Sequence, residues 1–191
     1  CIASSISVNA YKPGYVTRTV QPGGPGYTVF RAGEVHGRIT PRLEEFVKML
    51  SNIDSAKVTT NLWGERWTKL VVNSMGNGVS AITGLGGKGM ALSPDVRRLS
   101  TQLGGEAVAV GQALGFNLES IRGSEPDVLK AAAHGDRQAF EQVEAAILKG
   151  LPRMTEEGRP STGQDIVKGR RTEIDFINGL VADKGDEAGI P

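Results

Sequence analysis

The sequence lacks the features that mark several large classes of protein. Its single cysteine, Cys1, cannot form an internal disulfide framework. No apolar run approaches the roughly 20 residues of a membrane-spanning helix. Lysine and arginine number 22 against 21 acidic residues, so the net charge of +1 offers little attraction to a polyanion. We therefore expect a cytoplasmic protein without nucleic-acid or membrane partners.

Metal-binding patterns are also missing. The two histidines, His36 and His134, lie far apart in the chain. Neither has a cysteine or carboxylate at the spacing of a metal site. We predict no metal centre.

The first third of the chain is typical of an α/β structure. A helix is predicted after Thr40, which can cap it, with Pro41 in its first turn. The apolar stripe of this helix comprises Leu43, Phe46, Val47 and Leu50. Strands are predicted at residues 1–9, 15–20 and 27–31, with a turn at 21–26 between the last two and a short extended segment at 57–60.

From Leu62 onward, helical patterns dominate. One helix should span residues 62–83, and Ser93-Pro94-Asp95 should open a second that ends before Gly115. A third should span 136–149, and a last should run from Ser161 onward. The apolar positions of the last three are Leu99, Leu103 and Val108; Phe140, Val143 and Ile147; and Ile166, Ile174, Ile177 and Val181.

Three polar side chains recur at four-residue spacing in an apolar stretch of the first helix: Lys69, Asn73 and Asn77. In a helix this spacing advances about 40° per step, so all three share one face. Asparagine is costly to bury without a hydrogen-bond partner, and a ligand with carbonyl or carboxylate oxygens would supply one. Alternatively, neighbouring helices satisfy both asparagines and Lys69 reaches solvent, which is the commoner arrangement.

Two distant motifs are more specific together than either is alone. W-x-K-L-x-x-N-x-x-x-N occupies residues 67–77, and P-S-x-x-Q-D and T-E-I-D-x-I-N-G occupy 160–165 and 172–179. In this order they resemble the C-terminal half of ketopantoate reductase (2-dehydropantoate 2-reductase), and the resemblance extends to Gly33, Glu34 and Trp63. It implies that residues 1–60 are the C-terminal part of a Rossmann-type α/β domain, and that 61–191 form an all-α domain.

The resemblance implies reduction of ketopantoate to pantoate by NADPH, in pantothenate and coenzyme A biosynthesis. Lys69 matches the residue that stabilises negative charge on the carbonyl oxygen and then donates a proton, tasks that suit an ammonium group. Glu173 matches a second catalytic residue, which accepts a hydrogen bond from substrate hydroxyl or cofactor ribose. Otherwise Glu173 is an exposed glutamate paired with Arg170.

Asn73, Asn77 and Ser161 match substrate-binding residues of the same family. Ser161 has a second interpretation, because Gln164 three residues later completes the capping-box signature of a helix start. Both interpretations can hold together. The resemblance also allows for a homodimer.

The chain departs from the family pattern at two positions. Gly87 stands where some members carry a further substrate-binding asparagine, and Gly78 stands where proline often follows the second asparagine. These departures leave the exact 2-keto acid open.

A glycine motif at residues 84–89 fits G-x-G-x-x-G, which cradles a pyrophosphate when it joins a strand to a helix. Here it follows a helical pattern, so we interpret it as an inter-helix loop. In the family resembled, the dinucleotide fingerprint lies upstream of the part matched here. We therefore expect the chain to be a fragment that is inactive alone.

The sequence leaves two other functions open. One is an NADPH-dependent reductase of another 2-keto acid. The other is a non-catalytic helical dimerisation module, which would not require the polar set of Lys69, Asn73, Ser161 and Glu173.

Overall fold

The structure is a computed structural model that describes residues 2–4, 8–18 and 28–190. Its contacts divide the chain into two compact units, Cys1–Lys69 and Leu70–Pro191. The division falls inside one long helix, which contributes its first turns to one unit and the remainder to the other.

The first unit has α/β structure, as predicted. Its described elements are β1 Ile2–Ser4, β2 Val8–Lys12, β3 Tyr15–Arg18, β4 Phe30–Ala32, α1 Pro41–Ser51 and β5 Ala56–Val58. Strand β4 pairs antiparallel with β1 and parallel with β5, whereas β2 and β3 form a separate antiparallel pair. Helix α1 connects the parallel strands, so β4, α1 and β5 form a βαβ unit.

Two strand predictions need correction. The strand predicted over 1–9 corresponds to β1 and β2, which pair with different strands. The strand predicted over 27–31 is β4, which spans Phe30–Ala32. The extended segment predicted over 57–60 is strand β5, which spans Ala56–Val58. The turn predicted at 21–26 lies outside the described residues, as does Cys1.

Helix α1 forms where the sequence predicts it. The Thr40 side chain caps the helix by accepting from the Leu43 N–H at 3.3 Å. Leu43 and Leu50 are buried against Ala32 of β4. Phe46, at the edge of the predicted stripe, is 37% exposed.

The second unit is helical, which confirms the all-α prediction. Its elements are the remainder of α2 Leu62–Thr83, then α3 Gly87–Leu92, α4 Pro94–Ala113, α5 Pro126–Ala133, α6 Arg137–Lys149, α7 Ser161–Val167 and α8 Leu180–Ala188, with a 3₁₀ turn at Leu151–Arg153 and a π-helical turn at Asp175–Gly179. Beyond β5 the described residues form no strand, only a single bridge between Ile121 and Ser124. Within the described ranges, none of the helices is long and apolar enough to cross a bilayer.

Side-chain caps fix the starts of α4 and α6 as predicted. Ser93 accepts from the Val96 N–H at 3.4 Å, and Asp136 accepts from the Ala139 N–H at 3.0 Å. Val108 of α4 is buried, as are Val143 and Ile147 of α6. Leu99 is 37% exposed, and Leu103 and Phe140 are half-buried.

The last predicted helix is wrong as a single helix. Helix α7 ends at Val167, and Gly169 then adopts a positive φ of 63°, which favours glycine. The Arg170 N–H donates back to the Asp165 carbonyl at 2.8 Å and closes this end. Ser161 and Glu173 therefore lie on opposite sides of a chain break between helical segments. The short helices α3 and α5 were not predicted from the sequence.

Candidate functional site

Lys69 lies on α2 and is half-buried. One turn earlier, the Glu65 carboxylate binds the Arg31 guanidinium, with Nε 2.7 Å from Oε2, and lies 3.8 Å from the Lys57 ammonium. Among the described residues the Lys69 ammonium makes no hydrogen bond or ion pair. Burial, and secondarily the charge of Arg31, lower the pKa of Lys69. Lys69 thus has no counter-ion among the described residues, and it releases its proton more readily than an exposed lysine.

Asn73 and Asn77 follow Lys69 along α2 and differ in their surroundings. Asn77 is 5% exposed, and its Nδ2 donates to the Ser161 Oγ at 3.3 Å. Asn73 is half-buried, and its amide has no hydrogen bond within the described part of the chain. A neighbouring helix therefore contacts Asn77, whereas Asn73 keeps its hydrogen-bonding groups available.

Ser161 is the first residue of α7 and is exposed. The capping-box prediction is wrong, because Pro160 occupies the N-cap position and Gln164 Nε2 donates to the Arg159 carbonyl at 3.0 Å. Helix α7 approaches α2 closely at Gly163, where an added Cβ would lie 3.2 Å from the Ser80 Cβ. This close crossing brings the Ser161 hydroxyl to Asn77.

Glu173 lies in the bend before the π-helical turn, and its side chain is exposed. The carboxylate has no hydrogen bond or ion pair among the described residues, so the alternative of a pair with Arg170 does not form. The nearby ion pair joins Arg171 to Asp175 at 3.7 Å. The structure brings Asn77 and Ser161 into contact, but it does not hydrogen-bond Glu173 to either.

The glycine motif begins in the loop between α2 and α3, as predicted, but its last three residues form the first turn of α3. The backbone of Gly86 lies against the Glu156 carbonyl, in a space that a side chain would fill, and the Gly87 N–H donates to the Gly158 carbonyl at 2.9 Å. The glycines permit loop packing, and they do not form a phosphate cradle. Gly78 has a similar role, since an added Cβ would lie 3.1 Å from Ile174 Cδ1.

Glu34 belongs to the structural framework of the first unit. Its carboxylate accepts two hydrogen bonds from Arg42 and one from Thr40, all at 2.7 Å. These hydrogen bonds lower the pKa of Glu34 to about 2. Within the described residues, no cluster of histidine, cysteine or carboxylate side chains could hold a metal ion.

One residue of interest could not be identified from the sequence. Arg122 lies in a turn of the second unit, and its guanidinium reaches Gly76 on α2, between Asn73 and Asn77. An isolated arginine before a glycine carries no motif, and its approach to α2 depends on tertiary packing.

The chain therefore combines a unit that contains a βαβ arrangement with a helical unit, and its helix α2 carries a polar face. Residues 61–191 match the family model described as "Ketopantoate reductase PanE/ApbA C terminal". Because this match covers more than half of the chain, the protein belongs to that family.

Individual relatives agree with this assignment. A 2-dehydropantoate 2-reductase from Archaeoglobus fulgidus is 26% identical over 168 residues, which cover 87% of this chain and 48% of the relative. A dimeric ketopantoate reductase from Staphylococcus aureus has a TM-score of 0.68 at 20% identity, over 100% of this chain and 55% of the other. A D-mandelate dehydrogenase in complex with NADH has a TM-score of 0.70 at 18% identity, over 100% and 57%.

The two structural matches are too distant in sequence to show more than the fold. The chain spans about half the length of the relative from Archaeoglobus fulgidus. The activity of the whole protein therefore has to be argued from the residues of this chain.

Proposed function

We propose that the protein containing this chain reduces 2-dehydropantoate to pantoate with NADPH. Family membership supports this proposal, and one observation carries it: the half-buried Lys69 ammonium has no counter-ion among the described residues and a lowered pKa. A fully exposed lysine would keep its ordinary pKa. Both properties suit a lysine that acts on a carbonyl oxygen, because its ammonium stays available and gives up its proton readily.

The chemistry assigned to Lys69 follows the movement of charge. NADPH would supply a hydride to the keto carbon when bound. The Lys69 ammonium would then donate a hydrogen bond to the carbonyl oxygen, on which negative charge develops. The ammonium proton then passes to the oxygen and leaves a hydroxyl group and a neutral lysine, which solvent reprotonates.

The remaining polar groups on and near α2 suit substrate binding. The Asn73 amide, free of hydrogen bonds within the described residues, can donate to a carboxylate and accept from a hydroxyl. The Ser161 hydroxyl accepts from Asn77 and so keeps its own proton to donate. We assign Asn73, Asn77 and Ser161 to the substrate.

Glu173 is the residue of this chain that we assign to the cofactor and, secondarily, to catalysis. Its exposed carboxylate, which has no partner in the described part of the chain, fits a ribose hydroxyl donor. The glycine loop at 84–89 does not fit a pyrophosphate, because its backbone packs against 155–158. We propose NADPH over NADH on the family resemblance.

We also propose a cytoplasmic homodimer. The ketopantoate reductase of similar fold from Staphylococcus aureus is described as dimeric. Residues 61–191 then form the helical domain of each subunit.

A second candidate is reduction of another 2-keto acid. The fold match to D-mandelate dehydrogenase supports it, as do Gly78 and Gly87, which depart from the pattern resembled. In this case Lys69 keeps its role and the substrate side chain differs. A non-catalytic helical module is disfavoured, because packing gives no reason for an unpaired half-buried lysine.

The test is a spectrophotometric assay of the complete protein. Oxidation of NADPH is followed with ketopantoate and, in parallel, with phenylglyoxylate and pyruvate. Turnover that favours ketopantoate supports the proposal, and preference for another acid supports the second candidate. Absence of turnover with every acid and both nicotinamide cofactors would overturn both.

A further inference from the structure

Arg122 is held in a tight turn of the second unit. The Ile121 N–H donates to the Ser124 carbonyl at 2.8 Å, and the Ser124 N–H donates back at 2.9 Å. Both flanking residues are buried, at 2% and 8% exposure. Arg122 and Gly123 between them have φ values of 52° and 89°. Positive φ at both central residues is the signature of a type I′ turn, which favours asparagine and glycine. Arginine is therefore an unfavourable choice for this backbone.

The guanidinium of Arg122 extends to the polar face of α2. Its Nη2 lies 3.8 Å from the position that a Cβ on Gly76 would occupy. Apart from the chain neighbours of Gly76 and the backbone of its own helix, no other atom of the described residues lies within 4 Å of that position. Around the helix axis, Gly76 lies about 60° from Asn73 and about 100° from Asn77. The guanidinium thus lies at ordinary contact distance from this side of α2, nearer to the face of Asn73 than to that of Asn77.

This cation has no partner within the described residues, where it makes no hydrogen bond and no ion pair. Water still reaches the side chain, which is exposed. The guanidinium nonetheless lies among enough protein atoms that burial lowers its pKa.

The charges of the proposed reaction suit a second cation. The substrate carries a carboxylate throughout, and a second negative charge develops on the carbonyl oxygen. Lys69 is assigned to that oxygen, whereas Asn73, Asn77 and Ser161 are neutral. A guanidinium is planar and can donate two parallel hydrogen bonds to one carboxylate.

We propose that Arg122 binds the carboxylate of the 2-keto acid, as a specificity-determining residue beside Asn73 and Asn77. The proposal rests on the proposed function. It also explains why an arginine occupies a strained turn, since strain of this kind persists where function requires the side chain.

The test compares variants of the complete protein in steady-state kinetics. Arg122→Met should raise KM for the keto acid by about a hundredfold and change kcat by less than about threefold, because the carboxylate contact is the same in the ground and transition states. Arg122→Lys, which keeps the charge without the planar fork, should raise KM by about tenfold. Arg137→Met, at an exposed arginine on α6, should behave like wild type.

A neutral substrate separates carboxylate recognition from general damage to the site. The lactone of the same keto acid has no free carboxylate. The wild type should prefer the acid over the lactone, and Arg122→Met should lose that preference. Arg122→Gly, which suits the positive φ, should melt at or above the wild-type temperature and show the same loss.

An Arg122→Met variant with an unchanged KM, or with its acid preference intact, would overturn this inference and leave the proposed function standing. A wild type that reduces no 2-keto acid would overturn the proposed function itself. The two failures are distinguishable, because the first appears only in the variant.

Discussion

Asn77 donates from Nδ2 to the Oγ of Ser161 at 3.3 Å, across 84 positions of sequence. The bond joins α2 to the first residue of α7. A hydroxyl that accepts this hydrogen bond keeps its own proton, so Ser161 remains a donor on an exposed surface. The pair is therefore arranged to donate to an anionic or carbonyl oxygen.

Removal of the Lys69 ammonium should affect the rate of the chemical step. Lys69→Ala should lower kcat of the complete protein about a hundred- to ten-thousand-fold, which corresponds to roughly 3 to 5 kcal/mol of transition-state stabilisation. Lys48→Ala, at an exposed lysine on α1, should match wild type. A Lys69→Ala enzyme that retained more than about a third of wild-type kcat would remove lysine from the mechanism.

The ligands on α2 and α7 should act mainly on substrate binding. Asn73→Ala and Ser161→Ala should each raise KM by about 10- to 100-fold, because each removes a hydrogen bond to a charged group that is worth about 1.5 to 3 kcal/mol. Asn52→Ala and Ser51→Ala, at exposed positions of the first unit, serve as matched controls. An effect confined to kcat would argue against binding roles.

Activity should fall at alkaline pH as Lys69 loses its proton. Because burial and Arg31 lower the pKa of Lys69, the fall should begin below the ordinary value of 10.5. Arg31→Leu removes the repelling charge and should move the fall to higher pH. In the pH interval between the lowered pKa and 10.5, the unfolded state binds more protons, so the contribution of Lys69 to stability should rise with pH. A kcat profile from pH 6 to 10 for wild type and Arg31→Leu checks the alkaline fall and its shift. Urea unfolding over the same pH range checks the change in stability.

Two glycines on the α2–α7 side of the second unit should respond oppositely to alanine. At Gly76 the added Cβ meets Arg122 Nη2 at an ordinary 3.8 Å, so Gly76→Ala should stabilise α2 by about 0.5 to 1 kcal/mol. At Gly163 the Cβ would lie 2.5 Å from the Ser80 Oγ, so Gly163→Ala should cost about 1 to 3 kcal/mol. Urea unfolding of both variants measures the difference, and equal effects would show that α7 does not pack tightly on α2.

Glu34 should make the first unit sensitive to acid. Its pKa is about 2 when folded and 4.5 ordinarily, so its stabilising effect is complete above pH 4.5 and disappears as pH falls toward 2. Glu34→Gln should lower the unfolding free energy at pH 7 and flatten this part of the acid dependence. Glu45→Gln, at an exposed position of α1, should retain the wild-type profile.

The fold was most predictable where local chemistry specifies an element. Helix α2 begins at Leu62 and ends at Thr83, as the apolar period predicts, and Thr40, Ser93 and Asp136 cap the helices that follow them. The last helix was mispredicted, because its apolar period continues across Gly169 although the backbone there is left-handed.

The candidate site was less predictable, because its contacts join distant parts of the chain. The spacing of Lys69, Asn73 and Asn77 is visible along one helix, whereas the Asn77–Ser161 bond depends on how α7 packs. No pattern in the sequence pointed to Arg122, because its approach to Gly76 of α2 depends on how its turn packs against that helix. A polar face can be read from sequence, but the side chains that complete it from other elements cannot.

The contact between Gly86 and the Glu156 carbonyl has a consequence for motif searches. A backbone packed this tightly excludes every side chain, so glycine should persist there in relatives that keep the 155–158 loop. The central glycine of a G-x-G-x-x-G pattern would then recur in a helical domain for steric reasons alone. Searches for nucleotide-binding sequences that ignore the preceding element would assign a second dinucleotide site to such chains, in a place where the polypeptide itself fills the cradle.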